Sequence, residues 1–120
     1  MRNEEHDLQC ACVRWFAYAH PELKGLLFAV PNGGARSKAT AGRLKAEGVV
    51  AGVADLILLV PRPAPAYPYL AICIEMKTKH GYQSPEQKVW QAKVEQYGYM
   101  YAVCRSLDQF IETIENYLKP

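Results

Sequence analysis

The sequence predicts an α/β fold, a mixed β-sheet core flanked by helices, and three stretches carry that reading. Two apolar runs of strand length, residues 56–60 and 70–77, flank the segment 61–68, whose four prolines cannot donate to a sheet ladder and so form the loop of a hairpin. Ser84-Pro85-Glu86-Gln87 opens a helix, with Ser84 as N-cap, Pro85 in the first position and Gln87 completing a capping box; a further strand, residues 99–104, follows it. Apolar residues recur at helical spacing near both ends of the chain. The element order is helix, strand, basic helix, strand, strand, helix, strand, helix, with a crossover helix adding a strand to the hairpin and helices on both faces.

Each element has a local reason. In residues 3–20, Leu8, Cys12 and Phe16 recur every four positions with Trp15 and Ala19 beside them, and Pro21 ends the helix. Glu5 falls on the same stripe as Cys12 and Phe16. It either serves the helix dipole from solvent or points at a site within the fold. Residues 26–30 read as a short buried strand running into Pro31-Asn32-Gly33-Gly34, strong turn chemistry whose glycines also let a backbone approach a phosphate closely. Arg36, Lys38, Arg43 and Lys45 lie on a segment of helical character that stops at Gly48. Arg36 and Arg43 share one face and Lys38 and Lys45 another, which fits either a solvated charged helix or a track for a phosphate backbone. Trp90, Val94 and Tyr97 make the stripe of the helix after Ser84, and Gly98 closes it. Ser106, with Gln109 three residues on, caps a last helix whose face is Phe110, Ile111, Ile114, Tyr117 and Leu118.

The chain has 120 residues, half of them apolar, which fits a single domain, residues 1–120, with one core and argues against disorder. A net charge of +2 permits nucleic-acid binding without demanding it. No run approaches the ~20 apolar residues of a membrane span, and Met1-Arg2-Asn3-Glu4-Glu5 is not followed by a signal-type apolar core. A cytoplasmic setting is the expectation. Cys10, Cys12, Cys73 and Cys104 form no C-x-x-C pair and have no zinc-type spacing with His6, His20 or His80, so buried, inert thiols are expected. His80 lies in a polar loop and stays outside the candidate set.

The chemistry gathers at the ends of the hairpin. Asp55 starts its first strand and Glu75 ends its second, so antiparallel pairing makes the two carboxylates neighbours; Lys77 lies two residues on, on the same face. Like charges held together disfavour ionisation, and a hard divalent cation bound through oxygen removes that conflict. A lysine beside it can hold a water or neutralise charge on a phosphoryl oxygen. Taken singly, Asp55 is an ordinary turn residue and Glu75-Met76-Lys77 a common string.

Together these pieces resemble the PD-(D/E)xK nuclease superfamily, and more closely its VRR-Nuc domain (virus-type replication-repair nuclease). The resemblance rests on Glu5-x-x-Leu8-Gln9, Pro31-Asn32-Gly33-Gly34, Gly48-Val49 with Gly52-Val53-Ala54-Asp55, Glu75-Met76-Lys77 and Ser84-Pro85-Glu86-Gln87, in that order over nearly the whole chain. It implies a restriction-endonuclease-like fold and a metal-dependent DNA endonuclease, structure-selective in the manner of Holliday-junction resolvases. Asp55, Glu75 and the Met76 carbonyl would hold Mg²⁺, for which Mn²⁺ substitutes. Lys77 would position the attacking water, Gln87 would be the additional polar residue of the site, and Glu5 the helix-one glutamate near the metal. Asn32, Gly33, Arg36, Lys38, Arg43 and Lys45 would meet the nucleic acid. The partner would be branched DNA, in a replication-repair protein of a bacterium or phage-infected cell, with no organic cofactor and no membrane. A homodimer would set two sites for paired cuts, a hypothesis motivated by the bare domain and by a tyrosine-rich C-terminal half that includes Tyr97, Tyr99 and Tyr101. Where many members carry proline before the aspartate, this chain has Ala54, which alters only how the strand begins. A non-catalytic nucleic-acid-binding module of the same fold, and a hydrolase of a small phosphorylated substrate, are the other readings.

Overall fold

The computed structural model describes residues 3–31, 37–66 and 68–120. Asn32, Gly33 and Arg36, three of the expected nucleic-acid contacts, lie outside the described residues. The elements run α1 (Glu4–Ala19), a 3₁₀ turn (Pro21–Leu23), β1 (Leu27–Ala29), α2 (Lys38–Ala46), β2 (Leu56–Leu58), β3 (Ile72–Met76), α3 (Pro85–Gln96), β4 (Met100–Cys104) and α4 (Leu107–Leu118). The sheet order is β1-β2-β3-β4. The pairs β1–β2 and β2–β3 are antiparallel and β3–β4 is parallel, so the expected mixed sheet is present.

Alternation along β3 divides the core. Ile72, Ile74 and Met76 join Leu56, Leu58 and Cys104 on the face covered by α1 (Cys12, Phe16) and α4 (Phe110, Ile114, Tyr117). Cys73 points the other way, where Ala54 and Tyr101 pack with Trp90 and Val94 of α3. All five residues of β3 are therefore buried, as a central strand covered on both faces must be. His20 joins α1 to α4 through a 2.8 Å contact between its Nε2 and Glu115 Oε1. The proline-rich loop is closed at its base by the Arg62 N–H on the Tyr69 carbonyl, 2.8 Å, and held to α4 by the Tyr117 hydroxyl donating to the Val60 carbonyl at 2.7 Å.

Several expectations change. The strand at 26–30 is not buried: β1 is a three-residue edge strand, and Phe28 is 41% exposed. Strands β2 and β3 are shorter than their apolar runs, and Leu59 and Leu70 project into solvent. Tyr97, assigned to the buried stripe of α3, is that helix's C-cap and 73% exposed. Cys10 is exposed, one turn from His6 on α1. Cys12, Cys73 and Cys104 are buried as expected, and burial pushes the Cys12 thiol up to about 12 and the Cys73 thiol to about 11. Gln109 reaches back to the Arg105 N–H at 2.7 Å rather than to that of Ser106.

One glycine locks the site end of the fold. Gly52 has φ +87 and packs on the first turn of α3, so a Cβ there would run into the Glu86 carbonyl and lie 2.9 Å from the Gln87 nitrogen. Both the backbone conformation and the space demand glycine. Gly52→Ala is expected to destabilise the protein by about 2 kcal/mol or more, read by urea denaturation; parent-like stability would contradict this close approach.

Candidate active site

The register of the hairpin builds the site. Leu56 pairs with Ile74, and one further step in the same register sets Asp55 across from Glu75. Two hydrogen bonds extend the pairing back beyond the start of β2. The Val30 N–H donates to the Asp55 carbonyl at 2.9 Å, and the Met76 N–H donates to Asp55 Oδ2 at 2.6 Å. The aspartate is thereby tied to both neighbouring strands, its side chain standing in for a ladder acceptor. Beyond β3, the Lys77 N–H donates to the Cys104 carbonyl at 3.1 Å, which carries the parallel pairing through the lysine.

Glu75 is the one charged residue among the buried residues described, with no exposed surface. A carboxylate in such a position must be bonded or neutralised. Its Oε1 accepts from the Tyr101 hydroxyl at 2.6 Å and from Gln83 Nε2 at 3.0 Å. Its Oε2 has no hydrogen-bond partner; the Lys77 ammonium stands 3.9 Å away. Burial raises the Tyr101 hydroxyl's pKa, and the bond to Glu75 raises it further, so this donor keeps its proton.

Asp55 and Glu5 belong to the same electrostatic group. Burial raises the pKa of Asp55; the Met76 N–H opposes that, Glu75 adds to it and Lys77 offsets part. Glu5 is raised by burial first and then by Asp55, with Lys77 lowering it and Glu75 raising it. Helix α1 thus does bring Glu5 toward the hairpin carboxylates, and a cavity of about 710 Å³ includes Glu5, His6, Arg14, Val30 and Asp55 in its lining. A second groove, of about 800 Å³, starts from Asp55 and runs past Gly52 and Gln87 to Leu44 and Lys45 of α2. Helix α2 buries no residue, and Lys38, Arg43 and Lys45 are exposed along it.

Gln87 lines that groove, and its Oε1 accepts from the Ser84 N–H at 2.8 Å in a complete capping box. The glutamine that reaches Glu75 is Gln83. Gln83 and Tyr101 are the site residues that sequence reasoning missed. The available signal was strand alternation, which puts Tyr101 on the same side of the sheet as Trp90. Arg105 is a third. Its Nη1 donates to the carbonyls of Thr78 and Gly81, each at 2.8 Å, and so pins the loop that carries Gln83.

Among the described residues no three His, Cys, Asp or Glu side chains are gathered as a complete ion-binding set. A small hard cation does not need one. Magnesium is held through one or two carboxylates and keeps waters and substrate phosphate oxygens for its other positions. The oxygen donors of Asp55 and Glu75, one of them a buried atom without a hydrogen bond, fit such an ion.

The desolvated acids set a pH dependence. Both Glu5 and Asp55 hold their protons to higher pH when folded than when unfolded. The folded state gains from them below the ordinary carboxylate range near about pH 4 and loses that gain as pH rises through the folded-state values. In metal-free buffer, the melting temperature of Asp55→Asn relative to the parent is expected to climb from acid to neutral pH. At pH 7 the variant should melt above the parent. An Asn variant that melts below the parent at pH 7 would contradict a desolvated Asp55.

Comparison with known proteins agrees with the fold. The model of the VRR-NUC domain family matches residues 1–108. A solved structure described as a VRR_NUC domain protein superposes with a TM-score of 0.78 at 26% identity, covering 98% of this chain and 90% of that one. Comparison with curated proteins finds no match.

Proposed function

Because this chain belongs to the VRR-NUC family, a nuclease-type domain of the PD-(D/E)xK superfamily, we propose that it is a divalent-metal-dependent DNA endonuclease selective for branched or otherwise structured DNA. The observation that carries the reading is Glu75 Oε2. It is a buried carboxylate oxygen with no hydrogen-bond donor, 3.9 Å from a lysine and on the strand paired with Asp55. A core does not keep such an atom for stability.

In this reading Asp55, Glu75 and the Met76 carbonyl hold Mg²⁺ or Mn²⁺. Held there, such an ion would supply Lewis-acid polarisation of the scissile phosphate and a water of lowered pKa. Lys77 orients the attacking water and places its positive charge where negative charge builds on the phosphoryl oxygens. The water oxygen bonds to phosphorus as the bond to the 3′ oxygen breaks. The water's proton leaves toward the local carboxylates, the departing 3′ oxygen takes a proton from solvent water, and the products are a 5′-phosphate and a 3′-hydroxyl. Glu5 lines the cavity beside Asp55 on the α1 side, where it is the further carboxylate within reach of the water. Gln87 borders the path by which the strand reaches Asp55.

The groove from Asp55 to Lys45, with Lys38 and Arg43 exposed on the same helix, supports a polymeric phosphate backbone over a small phosphorylated molecule. Contacts of that kind position the backbone without reading bases, which favours selection by DNA shape. A homodimer would pair two sites for cuts on both strands. Tyr97 and Tyr99 are exposed enough to serve such a contact, whereas Tyr101 is turned inward to Glu75.

The test is cleavage of labelled four-way junction, flap and linear duplex DNA with Mg²⁺ or Mn²⁺. Lys77→Ala and Asp55→Ala are each expected to lose about 100-fold or more in rate. Binding without cleavage, unchanged in both variants, would leave a non-catalytic binding module instead. Sedimentation at micromolar concentration is expected to give twice the chain mass; a monomer would remove the paired-site arrangement.

A further inference from the structure

We propose that Gln83 and Tyr101 are positioning residues that saturate one oxygen of Glu75 and so dedicate the other to the cation. This rests on the metal-dependent reading above and deepens it. A carboxylate has two oxygens and about four lone-pair sites. Both donors converge on Oε1, the hydroxyl at 2.6 Å and the amide at 3.0 Å, while Oε2 receives none. An asymmetry of this kind in a fully buried group requires that the partners, and not the solvent, choose the orientation.

The donors are themselves fixed. Gln83 Nε2 also donates to Gln91 Oε1 at 2.7 Å, so each amide hydrogen has its own acceptor. Reversing the Gln83 amide would face its carbonyl oxygen against two acceptors, which selects the orientation seen. The loop bearing Gln83 is clamped by Arg105 onto the Thr78 and Gly81 carbonyls. Tyr101 is aligned across from Cys73 by the parallel β3–β4 register, and its ring packs against Trp90 at 6.0 Å. Three elements, β4, α3 and the 78–83 loop, therefore converge on the rotation of one carboxylate.

The consequence is a single, pre-oriented oxygen for the ion. Magnesium demands near-octahedral geometry and tolerates little ligand wander. Groups that orient a ligand without touching the metal commonly carry tenfold to hundredfold in affinity. Without them Glu75 can turn both oxygens toward Lys77, and the ion loses its fixed donor. Neither residue meets the reacting atoms in this account; they act through Glu75.

The experiment is calorimetric titration of the full chain with Mn²⁺ alone, without DNA, for the parent, Tyr101→Phe, Gln83→Leu and Asp55→Asn. Metal-free melting curves run alongside. Tyr101→Phe and Gln83→Leu are expected to stay folded and to bind Mn²⁺ about tenfold more weakly or worse. Manganese affinity within twofold of the parent in both, while Asp55→Asn abolishes binding, would overturn the positioning role and leave the metal site standing. No saturable binding by the parent, or equal binding by Asp55→Asn, would overturn the metal site and this inference with it. Gln83 lies on a loop and is half-buried, so its variant decides the matter if Tyr101→Phe fails to fold.

Discussion

The burial of one carboxylate, Glu75, is the constraint on which the rest of the structure depends. It sits at the end of the central strand, beneath α3, with no exposed surface. Water cannot solvate it, so the protein must supply every partner. Tyr101, Gln83 and Lys77 do so incompletely, because one oxygen is left without a hydrogen bond. The remaining features of this end of the sheet read as support for that group. Gly52 lets the Asp55 segment lie against α3, Arg105 fixes the loop behind Gln83, and Asp55 completes the ladder through the Met76 N–H.

Such a site opposes stability. Desolvation raises the proton affinity of Asp55 and Glu5, so at neutral pH their charges weigh against the folded state. The core under α1 and α4, with Phe110, Ile114 and Tyr117, offsets that cost, and a smaller cluster under α3, with Trp90 and Val94 partly buried, contributes to the offset. Conflict of this kind between local stability and site chemistry is expected where a fold carries function.

The sequence shows the hairpin, the helix order and the pairing of Asp55 with Glu75 because they follow from parity. Strand side chains alternate, and a hairpin brings the start of one strand to the end of the next. The capping box at Ser84 was legible for the same local reason. The partners of Glu75 were not. Tyr101 lies 26 residues away on a parallel strand whose register depends on how α3 packs. Gln83 sits in a polar loop that looks unremarkable until Arg105 ties it down. At β1 the apolar residues suggest core, although an edge strand has one uncovered side. Tyr97 continued the helical spacing of α3 past its last turn, where the chain turns outward.

On the proposed reading, Glu75 is kept for an ion and for cleavage rather than for the fold. Glu75→Gln tests it most directly, since it removes the charge while keeping shape and one oxygen acceptor. Metal-free melting and Mg²⁺-dependent DNA cleavage should be measured on the same preparation. The variant is expected to be at least as stable as the parent without metal and to show no detectable cleavage. A variant that cleaves at the parental rate would contradict it.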